Sequence, residues 1–449
     1  MKKIVLSVIA ALTFGCLSVS ADEIKLYQNA NGQVFTTSAT DRTPIDMINL
    51  SGARKSITII DKKSPDFLLG KQTHINMKFV ADDNSDMWLK AGVRIQGTFE
   101  NIKTDDKSVE NKDTSLSEAY LRRVRFEVAA GFGKHASFVM DIRNDKSNYG
   151  IENTEGSFSV GDAYVKIKKP FGTSLVNFKL YRAKIDVSRT ETVKSARVVA
   201  YDRPYIADSA AQYISFNRRG TNAQVYGNWE HKIQYQLAAG AATSPDKTIS
   251  ADADKGTGIN LTEQSFFIGG KVKASPFDGW EELQNTETYM GQGKHFTLGA
   301  AYWMIPTMKG ANANGNNVDL KRSLINVEAS MHYKGFMVQA EYFKFNDMVK
   351  EWNTAVTIPI ETGTSDGWYA TTEYVFTDFY FVAPFARYES WDRFNGSAGY
   401  EVTSALVGVN WYLRGNTTKV GLVAQKDTYG VNTGDKDVTK VRVTSQWFF

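Results

Sequence analysis

Apolar and polar residues alternate one by one through much of this chain. In WLKAGVRIQGTFE (88–100), Leu89, Ala91, Val93, Ile95 and Phe99 alternate with Lys90, Arg94, Gln96 and Thr98. A period of two marks an extended strand, whose successive side chains point to opposite faces. The pattern returns in HKIQYQLAAG (231–240), where Ile233, Tyr235 and Leu237 oppose Gln234 and Gln236. In RSLINVEASMHY (322–333), Ile325, Val327, Ala329, Met331 and Tyr333 oppose Asn326, Glu328, Ser330 and His332. In TSALVGVNWYL (403–413) the apolar set is Ala405, Val407, Val409, Trp411 and Leu413. These runs exceed the roughly five or six residues usual in a soluble sheet and match the about ten that a tilted membrane strand needs.

By this reading strands begin near residues 88, 118, 135, 160, 174, 220, 231, 264, 294, 322, 335, 366, 379, 401, 417 and 438. The pattern predicts an all-β fold: a transmembrane antiparallel β-barrel of about sixteen strands spanning 88–449. The connections carry separate information. Tight ones at 131–134, 170–173, near Glu230, 334–335, 377–378 and 414–416 alternate with longer polar ones at 101–117, 146–159, 187–219, 242–263, 306–321, 346–365, 391–400 and 428–437. That is the short-turn, long-loop order of a membrane barrel, whereas a soluble β-sandwich predicts hairpins of mixed length. The connection 276–293 departs from the order, being long where a short turn belongs. At the far end, KVRVTSQWFF (440–449) sets Val441, Val443, Trp447 and Phe449 on one face and Lys440, Arg442, Thr444 and Gln446 on the other, as a closing strand between lipid and a wet lumen requires.

The N-terminal residues 1–21 read as a signal peptide, with Lys2 and Lys3, an apolar stretch from Ile4 to Leu17 and a Val19-Ser20-Ala21 cleavage site. A lipoprotein signal ending at Cys16 is the alternative, which Phe14 and Gly15 fit poorly. Cys16 is the only cysteine, so an exported chain carries no disulfide. Residues 22–87 form an N-terminal periplasmic segment, with a hairpin signal in LYQNANGQVFTT (26–37). Removing two of the 53 basic residues leaves 51 against 49 acidic ones, a near balance that gives no support to nucleic-acid binding. The aromatic content of 12% favours strands.

Catalytic chemistry has no visible foothold. His74, His135, His231, His295 and His332 show no metal-ligand spacing, and nucleophile, zinc and phosphate-loop motifs are absent, so neither metal nor cofactor is expected. DADKGTGINLTE (252–263) sets Asp252, Asp254 and Glu263 at calcium-loop positions, but Gly256 and Thr257 stand where a ligand and a glycine belong, which makes it a solvated loop.

Parity assigns the charges that face a lumen. Val124, Phe126 and Val128 facing lipid turn Arg123, Arg125 and Glu127 inward, and Val165 and Ile167 do the same for Lys166 and Lys168. Lys179, Arg94 and Arg442 follow by the same rule. Barrel closure gathers these cations in one sector, where they attract anions. The longest loop, 187–219, carries Arg189, Lys194, Arg197, Arg203, Arg218 and Arg219 against Glu191, Asp202 and Asp208, a net of +3. Folded inward it is a candidate constriction; folded outward, its charges serve solvation or the phosphates of lipopolysaccharide.

The stretches LKAGVRIQGTFE, LRRVRFEVAAGFGKHASFVMDI, VGDAYVKIK and FKLYRAKIDVSRTE, in this order, resemble the phosphate-selective porin O and P family of Gram-negative outer membranes. The resemblance is strongest over 88–230. It implies a homotrimeric sixteen-stranded barrel in outer-membrane lipid, with a cationic constriction for small anions such as phosphate. Arg122, Arg123 and Arg125 match the family's basic positions by motif, and Lys184 stands where its lysine ends the FK strand. Around Lys184 the usual glycine and proline give way to Tyr181, Arg182 and Ile185. The expectation is a passive, anion-preferring porin without enzymatic activity. The alternatives are a general non-selective porin and a surface-binding protein whose external loops hold a partner.

Overall fold

The computed structural model describes residues 26–29, 34–35, 42–45, 57–59, 75–80, 86–108, 113–147, 158–230, 232–243, 260–276, 286–290, 294–311, 317–351, 363–393 and 398–448. A closed antiparallel barrel of 16 strands dominates them. Its strands are β1 (Asp86–Asp106), β2 (Thr114–Phe132), β3 (Ala136–Ser147), β4 (Ser159–Lys168), β5 (Asn177–Arg182), β6 (Thr221–Trp229), β7 (Ile233–Gly240) and β8 (Phe267–Ala274). The other half comprises β9 (Lys294–Ala311), β10 (Asn317–Tyr333), β11 (Phe336–Glu351), β12 (Gly363–Tyr374), β13 (Val382–Asp392), β14 (Glu401–Asn416), β15 (Thr418–Tyr429) and β16 (Lys436–Phe448). A short strand, Asn260–Gln264, precedes β8 and pairs with the far end of β9.

Burial decides how this sheet is dressed. Along β1, Arg94 is 1% exposed and Gln96, Thr98 and Glu100 are buried, whereas Phe99 is 67% exposed. Along β16, Arg442, Thr444 and Gln446 are buried while Val441, Val443 and Trp447 are exposed. The apolar face is therefore outside and the polar face inside, the inverse of a soluble sandwich and the arrangement lipid demands. The barrel closes as β16 runs antiparallel to β1, with Val443 opposite Phe99 and Gln446 opposite Gln96. Across the seam, Thr98 and Thr444 share a hydroxyl hydrogen bond of 3.1 Å. Phe449 lies outside the described residues, as do residues 1–21 and 252–259.

Before the barrel, Leu26–Asn29 pairs with Val34–Phe35 and with Arg42–Ile45. Ile75–Val80 pairs with the first residues of β1, Ile75 lying opposite Ala91, and Ile57–Ile59 pairs with Ile75–Val80 in turn. The segment preceding the barrel thus extends the sheet at the foot of β1, beyond the point where β16 ends. No helix of the described residues is long and apolar enough to cross a membrane.

The connection from β5 to β6, residues 183–220, lies inside the barrel. It contains a short turn of helix, α1 (Arg189–Thr192), and one longer helix, α2 (Tyr205–Ile214). Ile206, Ala210, Tyr213 and Ile214 of α2 are buried against Phe267, Trp303, Ile305, Leu324, Phe343, Phe345 and Tyr369 of the wall. Tyr213 meets Phe345 edge-on at 5.2 Å, and the Arg322 guanidinium lies 4.7 Å over the Tyr213 ring. Full burial of each large apolar side chain contributes about 1.5–3 kcal/mol. The lumen is thus apolar in one patch, where β9 to β11 carry large side chains on both faces. Gly421 on β15 admits the loop tip, since a Cβ there would lie 2.5 Å from the Tyr201 ring.

Candidate functional site

The basic residues of the wall begin with an irregularity. Between Gln96 and Gly97 the register of β1 on β2 shifts, so that Arg123 and Leu121 oppose adjacent residues and Arg122 is the extra one. Such a bulge turns neighbouring side chains the same way. Arg122 is consequently buried and ion-paired to Asp202 of the inner loop, while Leu121 is exposed to the outside. Strict alternation sends Arg122 to lipid, and the family motif alone singled it out.

Most of the other cations have carboxylate partners. Arg94 pairs with Glu127 and donates to the Ser195 hydroxyl at 2.8 Å. Arg125 donates twice to Asp145, at 3.1 and 2.6 Å. Arg442 meets Glu100 at 2.8 Å and also Asp202. In the loop, Lys194 pairs with Glu127, Arg218 with Glu191 and Asp208, and Arg219 with Asp162 at 2.9 Å. Arg203 donates to the carbonyls of Thr190 and Val193, and the backbone of Arg189 donates to Glu341. These partners temper the positive sector that parity predicts.

Arg123, Arg143, Lys166, Lys179 and Arg197 are among those with no carboxylate within ion-pairing distance among the described residues. Lys166 and Lys179 sit directly opposite each other on β4 and β5, their ammonium groups 5.4 and 5.3 Å from the Tyr164 ring. Arg143 faces Arg125 across β2 and β3. Arg123 donates to Gln96 at 2.7 Å and to the Tyr201 carbonyl at 3.2 Å. All five are only partly buried, so the wall from β2 to β5, which carries four of them, and the loop at Arg197 meet water. Lys168 shares the face of Lys166 but lies at the strand end and is exposed.

The wall from β10 to β13 carries Glu328, Glu341, Glu373 and Glu389, each 1 or 2% exposed. Glu341 accepts from the Ser188 hydroxyl at 3.0 Å and from the backbone N–H groups of Arg189 and Thr190 at 3.1 and 3.3 Å. Glu328 is paired with Lys271, and Glu373 accepts from Tyr412 at 2.6 Å. These acids anchor the inner loop and its surroundings, out of reach of anything passing.

Within the loop, Glu191 is completely buried amid cations. Burial pushes its carboxyl up, but Arg218, Lys184 and Arg203 outweigh that and hold it below the usual carboxylate range. Lys184, 3.4 Å from Glu191, is pulled well below the usual lysine range, first by burial and then by Arg203. The Glu191 cluster is thus balanced within the loop, whereas Arg197 near the loop tip remains partly exposed.

A family model, phosphate-selective porin O and P, matches residues 89–446. The chain belongs to that family. Its fold is shared with an anion-selective porin from Comamonas acidovorans, at 11% identity and a TM-score of 0.55, over 81% of this chain and 100% of that one. The outer membrane channel DcaP of Acinetobacter baumannii aligns over 83% of this chain and 99% of its own, at 11% identity and a TM-score of 0.49. None of the curated proteins matches in sequence. The protein is a porin-family channel, with Arg122, Arg123 and Arg125 on β2 and Lys184 at the base of the inner loop. Sequence reasoning missed Arg143, although it shares the parity of Asp141 and Asp145.

Proposed function

We propose that this protein is a passive, anion-preferring diffusion channel of the outer membrane, exported by residues 1–21 and assembled as a homotrimer. The observation that carries the selectivity is the asymmetry of the lumen. Arg123, Arg143, Lys166, Lys179 and Arg197 are accessible and lack carboxylate partners among the described residues, whereas Glu341, Glu373 and Glu389 are covered. Cations lining a narrow bore raise the local concentration of anions and repel cations. Small oxyanions such as phosphate suit these donors, because Arg presents a planar fork and Lys a compact charge.

The test is the reversal potential of purified channels in planar bilayers under a potassium chloride gradient, repeated with phosphate. Anion preference is expected, and Arg123→Ala should cut the anion-over-cation permeability ratio about threefold, in line with losing one charge of a cationic ring. A wild-type channel that passes potassium and chloride equally refutes the proposal.

A further inference from the structure

The connection from β8 to β9, long where the barrel's other turns at that end are short, ends in Thr286–Met290, and each of these residues is 2 to 4% exposed. They lie within the barrel. The Glu287 N–H donates to the Arg197 carbonyl at 3.1 Å, and its carboxylate accepts the Val199 N–H at 2.7 Å. One residue thus grips the tip of the inner loop from the opposite end of the barrel. The Asn416 amide donates to the Thr286 hydroxyl at 3.2 Å. Tyr289 packs edge-on against His332 at 4.1 Å and lies beside His295 at 5.1 Å. Met290 packs with Val375, Ala383 and Tyr412, the tyrosine whose hydroxyl donates to Glu373.

These contacts cover the inner surface from β9 to β14 at the short-turn end. The loop covers Glu341 with Ser188–Thr190. The turn lies over the Tyr412–Glu373 pair and holds the loop tip in place. We infer that Thr286–Met290 is a second specificity-determining element. It screens the glutamate wall from the bore and confines passing ions to the cationic side, with Glu287 as the positioning residue. A carboxylate facing the path would oppose the cations opposite it, so hiding Glu373 matters as much as displaying Lys166. The electrical consequence rests on the anion-preferring reading above; the screening itself does not.

Two measurements separate these. In planar bilayers, replacing Thr286–Met290 with glycine and serine should raise conductance about twofold and lower the anion-over-cation permeability ratio about threefold, because the bore widens and meets a carboxylate. Glu287→Ala should move both in the same direction by less, and serves if the replacement fails to assemble. Glu287→Gln should stay near wild type, since its amide oxygen still accepts the Val199 N–H. The second measurement introduces a thiol by Glu373→Cys, which is unique once Cys16 is removed with the leader. A charged methanethiosulfonate should modify it at least about tenfold faster with the turn replaced than with the native turn, the thiolate needing solvent access to react. Equal modification rates overturn the screening whatever the selectivity of the channel. Unchanged conductance and permeability ratio in both variants of an anion-preferring wild type overturn the specificity role. A wild type without anion preference refutes the earlier proposal and leaves the thiol test to decide this one.

Discussion

The wall from β2 to β5 and the wall from β10 to β13 face each other across the same lumen, and they differ in what their charges are for. On the first, Lys166, Lys179, Arg143 and Arg123 stay partly exposed, and two of them stand directly opposite each other over one tyrosine ring. Like charges so placed are destabilising by a few tenths to about 1 kcal/mol. On the second, Glu341 gathers three donors from the inner loop and is 2% exposed. Charge left exposed at a cost to stability reads as functional, while charge consumed in hydrogen bonds reads as architectural. The lesson is that a lumen's net charge says less than which of its charges water can reach.

The strongest way to break this contrast is to reverse the exposed pair. Lys166→Glu with Lys179→Glu replaces two cations by two anions within a few ångströms of a passing ion. Each reversal changes the charge by two units, which at about 5 Å shifts the ion's energy by roughly 2–6 kcal/mol between the dielectric of water and that of a protein surface. The anion-over-cation permeability ratio should fall about tenfold or more, and the reversal potential should change sign. If instead the ratio holds, the accessible wall does not set selectivity.

The opposite wall should respond differently. Glu341→Ala removes the acceptor of the Ser188 hydroxyl, of two backbone N–H groups, and of the Asn326 amide at 2.9 Å. Buried donors left without partners cost about 1–3 kcal/mol each, so the loop should detach rather than the selectivity merely shift. Single-channel current should flicker between levels, and residues 183–220 should become open to limited proteolysis. Glu341→Gln, which keeps an acceptor oxygen, should do much less. Equal effects of the two substitutions would make Glu341 a charge in the field rather than an anchor.

Much of this was legible in sequence because membrane strands obey a rule of two. Leu89 to Phe99 and Val441 to Trp447 gave the outward face, and the inward turn of Arg94, Arg125 and Arg442 followed from it. Parity fails where the backbone adds a residue, as at Arg122, since a bulge has no signature in alternation. It also misled about the lumen's chemistry. Trp303, Ile305, Phe343 and Phe345 point inward and form the seat of α2, and the clue was a stretch apolar on both faces, AAYWMI at 300–305. Pairings of the inner loop with the wall, such as Asp202 with Arg122, or with another connection, such as Val199 with Glu287, depend on distances that no local pattern carries.

The smallest expected effect concerns pH, and it tests whether the loop stays in place while the wall is probed. Glu191 is held below its usual range by Arg218, Lys184 and Arg203 against the opposing pull of burial. A carboxyl lowered on folding contributes stability that is fully present above its unfolded value of about 4.3 and is lost only as pH falls through the lower folded value. The loop should therefore keep its position from pH 7 down to pH 4. Conductance and permeability ratio in chloride, an anion that does not titrate, should change by less than about a third over that window. Loss of the open level already between pH 6 and pH 5 would point away from Glu191. It would point to a carboxyl raised on folding, and Glu287, which burial pushes up, sits at the same loop tip.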